Sequence, residues 1–156
     1  MVSPDAAADG TAGSDANPAD TTQTCNTLDL GAAQPISLNQ VASDEPVATG
    51  GTIFDGTYLL TKWTTYTGPG GATGPLPLAI RVRRDFGMGT VQTIEDDGAR
   101  VQHLTSLLTT SDTSFTETDT CPGATVDRGT YTATSGTITE WVSDHNQIVE
   151  SVFTKQ

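Results

Sequence analysis

From Gly51 to its last residue the chain is a succession of short strand candidates separated by turn residues, and no segment carries a helical pattern. Threonine fills 23 of the 106 positions in this stretch. Its branched Cβ suits a pleated, half-buried surface and disfavours a helix. Such a chain can bury its apolar residues only by facing one part of a sheet with another.

Turn chemistry divides the stretch. A first strand is predicted over residues 52–67, followed by Gly68-Pro69-Gly70-Gly71-Ala72-Thr73-Gly74-Pro75, which is too rich in Gly and Pro for regular structure. Residues 76–84 give the cleanest alternation, with Leu78, Ile80 and Val82 on one face and Arg81 and Arg83 on the other. Residues 86–95 come next, with Phe86, Met88 and Ile94 sharing one parity. Asp96-Asp97-Gly98 is the strongest hairpin signal and predicts a type I′ turn. Five further strands are expected over 99–109, 113–121, 128–134, 137–143 and 147–155. Eight sequential strands on short connections predict an all-β, eight-stranded antiparallel up-and-down barrel, with a β-sandwich as the alternative.

Three regions are expected. Residues 1–24 read as a disordered acidic tether, because they hold four Asp and almost no large aliphatic side chain. Residues 25–50 read as an extended arm bearing Cys25, with Leu28, Leu30, Ile36, Leu38 and Val41 spaced for a short strand or a packed segment. Residues 51–156 form the barrel domain.

The charge is lopsided: before Gly51 there are seven acids and no Lys or Arg, and after it twelve acids and seven bases. No clustered basic face is available for phosphate, which excludes nucleic acid as a partner. Arg81, Arg83, Arg84 and Arg100 read as a solvated face. No apolar run is long enough to span a bilayer. The tract after Met1 lacks a signal-peptide pattern, which taken alone suggests a cytoplasmic start. The cysteines point elsewhere. Cys25 and Cys121 are the only two and form one expected disulfide, a bond that persists outside the cytosol. No metal-ligand spacing and no cofactor motif occurs.

Gly56-Thr57-Tyr58 lies on the first strand of the body, and the run Gly129-Thr130-Tyr131-Thr132-Ala133-Thr134-Ser135-Gly136-Thr137-Ile138 lies late in the chain. On these residues the chain resembles the lipocalin-like (calycin-like) small barrels, with Tyr58 in place of that superfamily's Trp. The Cys-bearing arm, GGTIFDGTYLLT, TDTCPG and the closing VFTKQ resemble uncharacterised exported lipoproteins of myxobacteria-like bacteria. The Ala-, Asp-, Gly-, Ser- and Pro-rich start resembles the tether that follows their lipidated cysteine. The resemblance implies an extracytoplasmic protein, secreted or held in the cell envelope. Any membrane attachment would then come only through an N-terminal lipid anchor absent from this chain. It implies a fold and a compartment, with small-molecule binding as a possible role; a monomer is expected.

Chemistry-bearing residues are few. His145 sits in the turn Asp144-His145-Asn146 and reads as a surface residue. His103 shares parity with Val101, Thr105 and Leu107, which look inward-facing. Glu117 and Asp119 share parity with Phe115 and Cys121 and read as solubilising charges on the outer face. If inward, they would meet His103 and offer an acid–base group. Glu140 shares parity with Ile138 and Val142. The leading expectation is a non-catalytic module that binds a small apolar or amphipathic ligand. Tyr58, Leu60, Phe86, Met88, His103, Tyr131 and Trp141 are the lining candidates. The alternative is a structural or interaction lipoprotein with a filled barrel and no ligand.

Overall fold

The computed structural model describes residues 24–156, so the expected tether over residues 1–24 lies outside the described residues except for its last. Nine strands make up one sheet: β1 (Ile36–Val41), β2 (Gly56–Tyr66), β3 (Gly74–Gly87), β4 (Thr90–Asp96), β5 (Val101–Ser111), β6 (Ser114–Cys121), β7 (Val126–Ala133), β8 (Thr137–Asp144) and β9 (Gln147–Lys155). No helix occurs among the described residues. From β2 to β9 each strand pairs antiparallel with the next, and β9 returns to β2, closing the sheet into a ring.

The arm adds what an eight-strand reading leaves out. Strands β2 and β3 pair directly only where Gly56–Leu59 face Arg83–Phe86, and then diverge. β1 fills the gap, running parallel to Trp63–Tyr66 on one side and antiparallel to the start of β3 on the other. The sheet is therefore mixed and nine-stranded, and β1 satisfies backbone groups that the divergence would otherwise leave unpaired.

Two turns also differ from expectation. Phe86 belongs to the end of β3, and the reversal comes at Met88 and Gly89, which hold φ angles of 49° and 77°. Met88 is consequently 95 % exposed and shares no face with Phe86. The β4–β5 turn falls where expected, but only Gly98 in it has a positive φ (83°), so it is not type I′. Its conformation is held by aspartates: Asp97 Oδ1 accepts from the Ala99 and Arg100 amides at 2.8 Å each, and Asp96 Oδ1 accepts from Gly98 at 2.8 Å.

Two register shifts decide which side chains face inward. In β2 against β9 the shift lies between Leu60 and Lys62, so Leu60 and Trp63 both line the interior despite opposite parity. In β5 against β6 the pairs are Thr105–Cys121 and Ser106–Asp119, which leaves Thr120 as the extra residue. Phe115, Glu117 and Asp119 thus face inward while Cys121 is turned to the outside.

Outside is where the arm lies. Cys121 is bonded to Cys25, 96 residues away in sequence, a staple worth roughly 4–5 kcal/mol on the chain-entropy account. Next to it, the buried Asn26 side chain donates to the carbonyls of Thr93 (3.1 Å) and Leu104 (2.7 Å), while its Oδ1 meets His103 Nδ1 at 3.0 Å. Arg83 then reaches Asp29 at 3.0 Å, carrying the arm across β3 toward β1.

One end of the ring is crossed by residues 50–55. Gly50 donates to the Tyr131 carbonyl (2.8 Å) and accepts from the Ala133 amide (2.9 Å). The hydroxyls of the inward residues Tyr131 and Tyr58 donate to the carbonyls of Gly51 (2.8 Å) and Phe54 (2.9 Å). Above this crossing sits the core of Tyr58, Leu60, Val82, Phe86, Val91, Ile138 and Phe153, with Ile53 of the crossing packed against it. Tyr58 and Phe86 meet edge to face, their ring centroids 5.2 Å apart.

Candidate functional site

The inward positions of β3 are Ile80, Val82, Arg84 and Phe86, and this alternation carries a guanidinium into the ring. Arg84 is buried with every nitrogen engaged. Nη1 donates to both carboxylate oxygens of Glu140 (2.9 and 2.7 Å), Nη2 donates to Glu117, and Nε donates to Thr93 Oγ1 at 3.3 Å. The guanidinium also lies 5.4 Å from the Phe86 ring centroid and 5.3 Å from that of Phe153, which gives it cation–π contacts toward the apolar core. Arg84 had read as part of a solvated face, and Glu117 as external; the structure corrects both. The signal was Arg84's parity with Ile80 and Val82, which demanded carboxylates on other inward strands.

A buried arginine needs compensation because desolvation of a charge costs several kcal/mol. Burial alone would push the Arg84 guanidinium down, but Glu117 and Glu140 hold it above its ordinary value. The two carboxyls are driven apart. Desolvation raises Glu117, yet the Arg84 charge and its hydrogen bond outweigh that and leave it below the usual glutamate range. Burial dominates at Glu140 and lifts it above that range. Beside the triad, the fully buried Ser106 donates to Asp119 Oδ1 at 2.8 Å.

Toward the end opposite residues 50–55 the ring is not filled. A cavity of about 260 Å³, open on one side, is lined by residues of six strands. Leu60, Trp63, Ile80, Val82, Leu104 and Phe153 form its apolar wall, and Arg84, Thr93, Glu95, Glu140 and Ser151 its polar part. Two other hollows differ in kind. One of about 290 Å³ lies between residues 51–55 and the β3–β4 turn and has mostly glycine, threonine and backbone around it. The other, about 450 Å³, is a surface depression around Asp44, Glu45 and the 145–148 turn.

The seven lining candidates separate. Tyr58, Leu60, Phe86 and Tyr131 face inward, and of these only Leu60 borders the cavity at the ring's open end. Met88 is on an exposed turn. His103 is on the outer face of β5 beneath the arm, because Leu104 and Ser106 are the inward residues there. Its expected inward position is thereby corrected, and it cannot reach Glu117 or Asp119 inside, so that acid–base group is not assembled.

Trp141 is also behind the sheet, opposite in parity to the inward Glu140. Its Nε1 donates to Glu150 at 3.2 Å, alongside Tyr66 Oη at 2.8 Å and Lys62 Nζ at 2.5 Å. Burial, then the hydrogen bond to Glu150, pushes the Tyr66 hydroxyl well above its usual range. Trp63, Glu95 and Arg84, which do border the cavity, were missed as site residues because a one-residue slip in β2 hides the first and charge hides the others. No group of His, Cys, Asp and Glu suited to a metal ion occurs among the described residues. No protein-family model, no curated protein and no solved structure matches the chain.

Proposed function

We propose that this chain is a non-catalytic, extracytoplasmic binding module for a small amphipathic molecule. On this reading the closed sheet works as a small lipocalin-like barrel, entered at the end beside the β4–β5 turn. The observation that carries the proposal is the 260 Å³ cavity, with six apolar side chains on one side and a charged cluster on the other. Ligand sites are typically concave, mainly apolar and fixed by a few convergent polar groups. This volume lies just below the range of drug-sized sites, so the ligand is small. The Cys25–Cys121 bridge supports the compartment, and no helix among the described residues is long and apolar enough to cross a membrane. A lipid-anchored attachment upstream belongs to the same proposal.

The second reading, a filled structural or interaction module, draws support from the packed half around Tyr58, Val91 and Ile138, where side chains fill the centre of the ring. The two tryptophans separate these readings, since Trp63 borders the cavity and Trp141 lies behind the sheet. Titration with the neutral apolar probe N-phenyl-1-naphthylamine should be saturable and should change tryptophan emission in the wild type and in Trp141→Phe, but not in Trp63→Phe. Absence of saturable binding in the wild type would favour the filled module.

A further inference from the structure

We infer that the cavity selects amphiphiles carrying a protonated amine, and that Glu95 is the side chain that reads it. This rests on the cavity being a ligand site, as proposed above. The argument follows from which polar groups at the cavity are already engaged. Arg84 is already neutralised, and each of its three nitrogens is engaged, with Thr93, Glu140 and Glu117. Glu140 accepts through both oxygens from Arg84 Nη1. Thr93 Oγ1 already receives Arg84 Nε.

Glu95 is different. It projects from β4 into the same space, is only partly exposed, and its carboxylate makes no hydrogen bond or close ion pair among the described residues. It therefore keeps its full acceptor capacity, and an ammonium can supply the missing donors.

Charge points the same way. Within and just below the cavity one guanidinium stands against the carboxylates of Glu95, Glu117 and Glu140. An anionic head would enter an excess of negative charge and find no free cation. Arg100, in the β4–β5 turn, pairs with Asp97 at 3.6 Å. Burial, followed by the Asp97 charge, raises the Glu95 carboxyl above its ordinary range, and the more distant Arg100 and Arg84 charges do not offset this. The apolar wall of Leu60, Trp63, Ile80, Val82, Leu104 and Phe153 suits a short aromatic or alkyl body behind the amine. The ligand class is thus a small arylalkyl- or alkylammonium.

Three isosteres test this by displacing N-phenyl-1-naphthylamine at neutral pH: 2-phenylethylamine, 2-phenylethanol and 3-phenylpropionate. In the wild type the amine should compete about tenfold or more better than the alcohol, the advantage of a charge-assisted over a neutral hydrogen bond, and the acid worst. Glu95→Gln, with Glu95→Ala as a second variant, should remove the amine's advantage, read within each variant as the ratio of amine to alcohol competition. Equal competition by amine and alcohol in the wild type overturns the inference and spares the binding reading. So does an amine preference that survives in both variants. Failure of the neutral probe to bind the wild type overturns both.

Discussion

At the end of the ring crossed by residues 50–55, Tyr58, Phe86, Val91 and Ile138 fill the interior, and two tyrosine hydroxyls tie the crossing to the strands. Toward the other end, Arg84, Glu140 and Glu95 point inward and border the cavity, with Glu117 on the far side of Arg84. Alternation and strand pairing are shared by both ends; only the inward residue types differ. On the proposed reading one half serves stability and the other selectivity, with Arg84 at the junction, its guanidinium near the Phe86 and Phe153 rings and its nitrogens on two carboxylates.

The most damaging substitution should therefore fall at that junction. Arg84→Met leaves two buried carboxylates facing each other without a cation, a defect worth about 3–5 kcal/mol. Urea unfolding should show this as a lowered midpoint. Replacing all three partners together, as Arg84→Met with Glu117→Leu and Glu140→Leu, should recover most of the loss, because a well-packed apolar cluster replaces a buried ion group at little cost. If the triple variant is as unstable as the single one, the triad is doing more than neutralising itself.

Within the filled half the expected damage is of another kind. Ile138 is wholly buried, so Ile138→Ala should cost about 3 kcal/mol through lost transfer energy and the hole left behind. Probe binding at the far end should be unchanged in the folded fraction. Altered affinity at the open end would mean the two halves are coupled and the division is false.

The crossing segment gives a smaller test. Gly50 has a φ of 68°, and a Cβ there would lie 2.2 Å from the Asp112 carbonyl oxygen. Gly50→Ala should cost about 2 kcal/mol through that clash and the left-handed backbone. Hydrogen exchange should speed up at the amides of Gly50 and Ala133, which hold the segment to β7, before it does so around Arg84. Uniform acceleration would show that the plug and the ionic end open as one unit.

Much of this architecture is legible in the residues. The turns at Ser111-Asp112, Ser135-Gly136 and Asp144–Asn146 separate the strands because their residues satisfy or tolerate turn backbone, and the body has eight strands in the expected order, with the β3–β4 reversal displaced to Met88 and Gly89. The cysteine pair is equally legible. Facing is not. Threonine occupies both sides of many strands, so polarity does not mark the inside, and the slips near Leu60 and at Thr120 change side without changing composition. His103 was assigned inward and Glu117 outward for that reason. Arg84 was the readable exception, since it continues the apolar face of Ile80 and Val82. β1 is harder to foresee, because its place depends on β2 and β3 diverging, a long-range feature with no local signature.

The smallest effect, and the one that bears most directly on the open end, concerns Glu95. Its carboxyl titrates above the ordinary glutamate range in the folded chain, chiefly because burial disfavours its charge. As pH falls, the folded state takes up that proton before the unfolded state does. The penalty for holding Glu95 ionised is therefore fully present above its folded pKa and is lost as pH falls below the unfolded value of about 4.3. Glu95→Gln never carries that penalty, so it should melt slightly higher than the wild type at neutral pH, and the two should converge near pH 4 and below. A saturating ammonium ligand should reverse the order at neutral pH, because only the wild type then gains an ion pair. A gap of constant size across the pH range would mean that the substitution acts through packing. Glu95 would then be an ordinary wall residue, and the open end would differ from the closed one in filling alone.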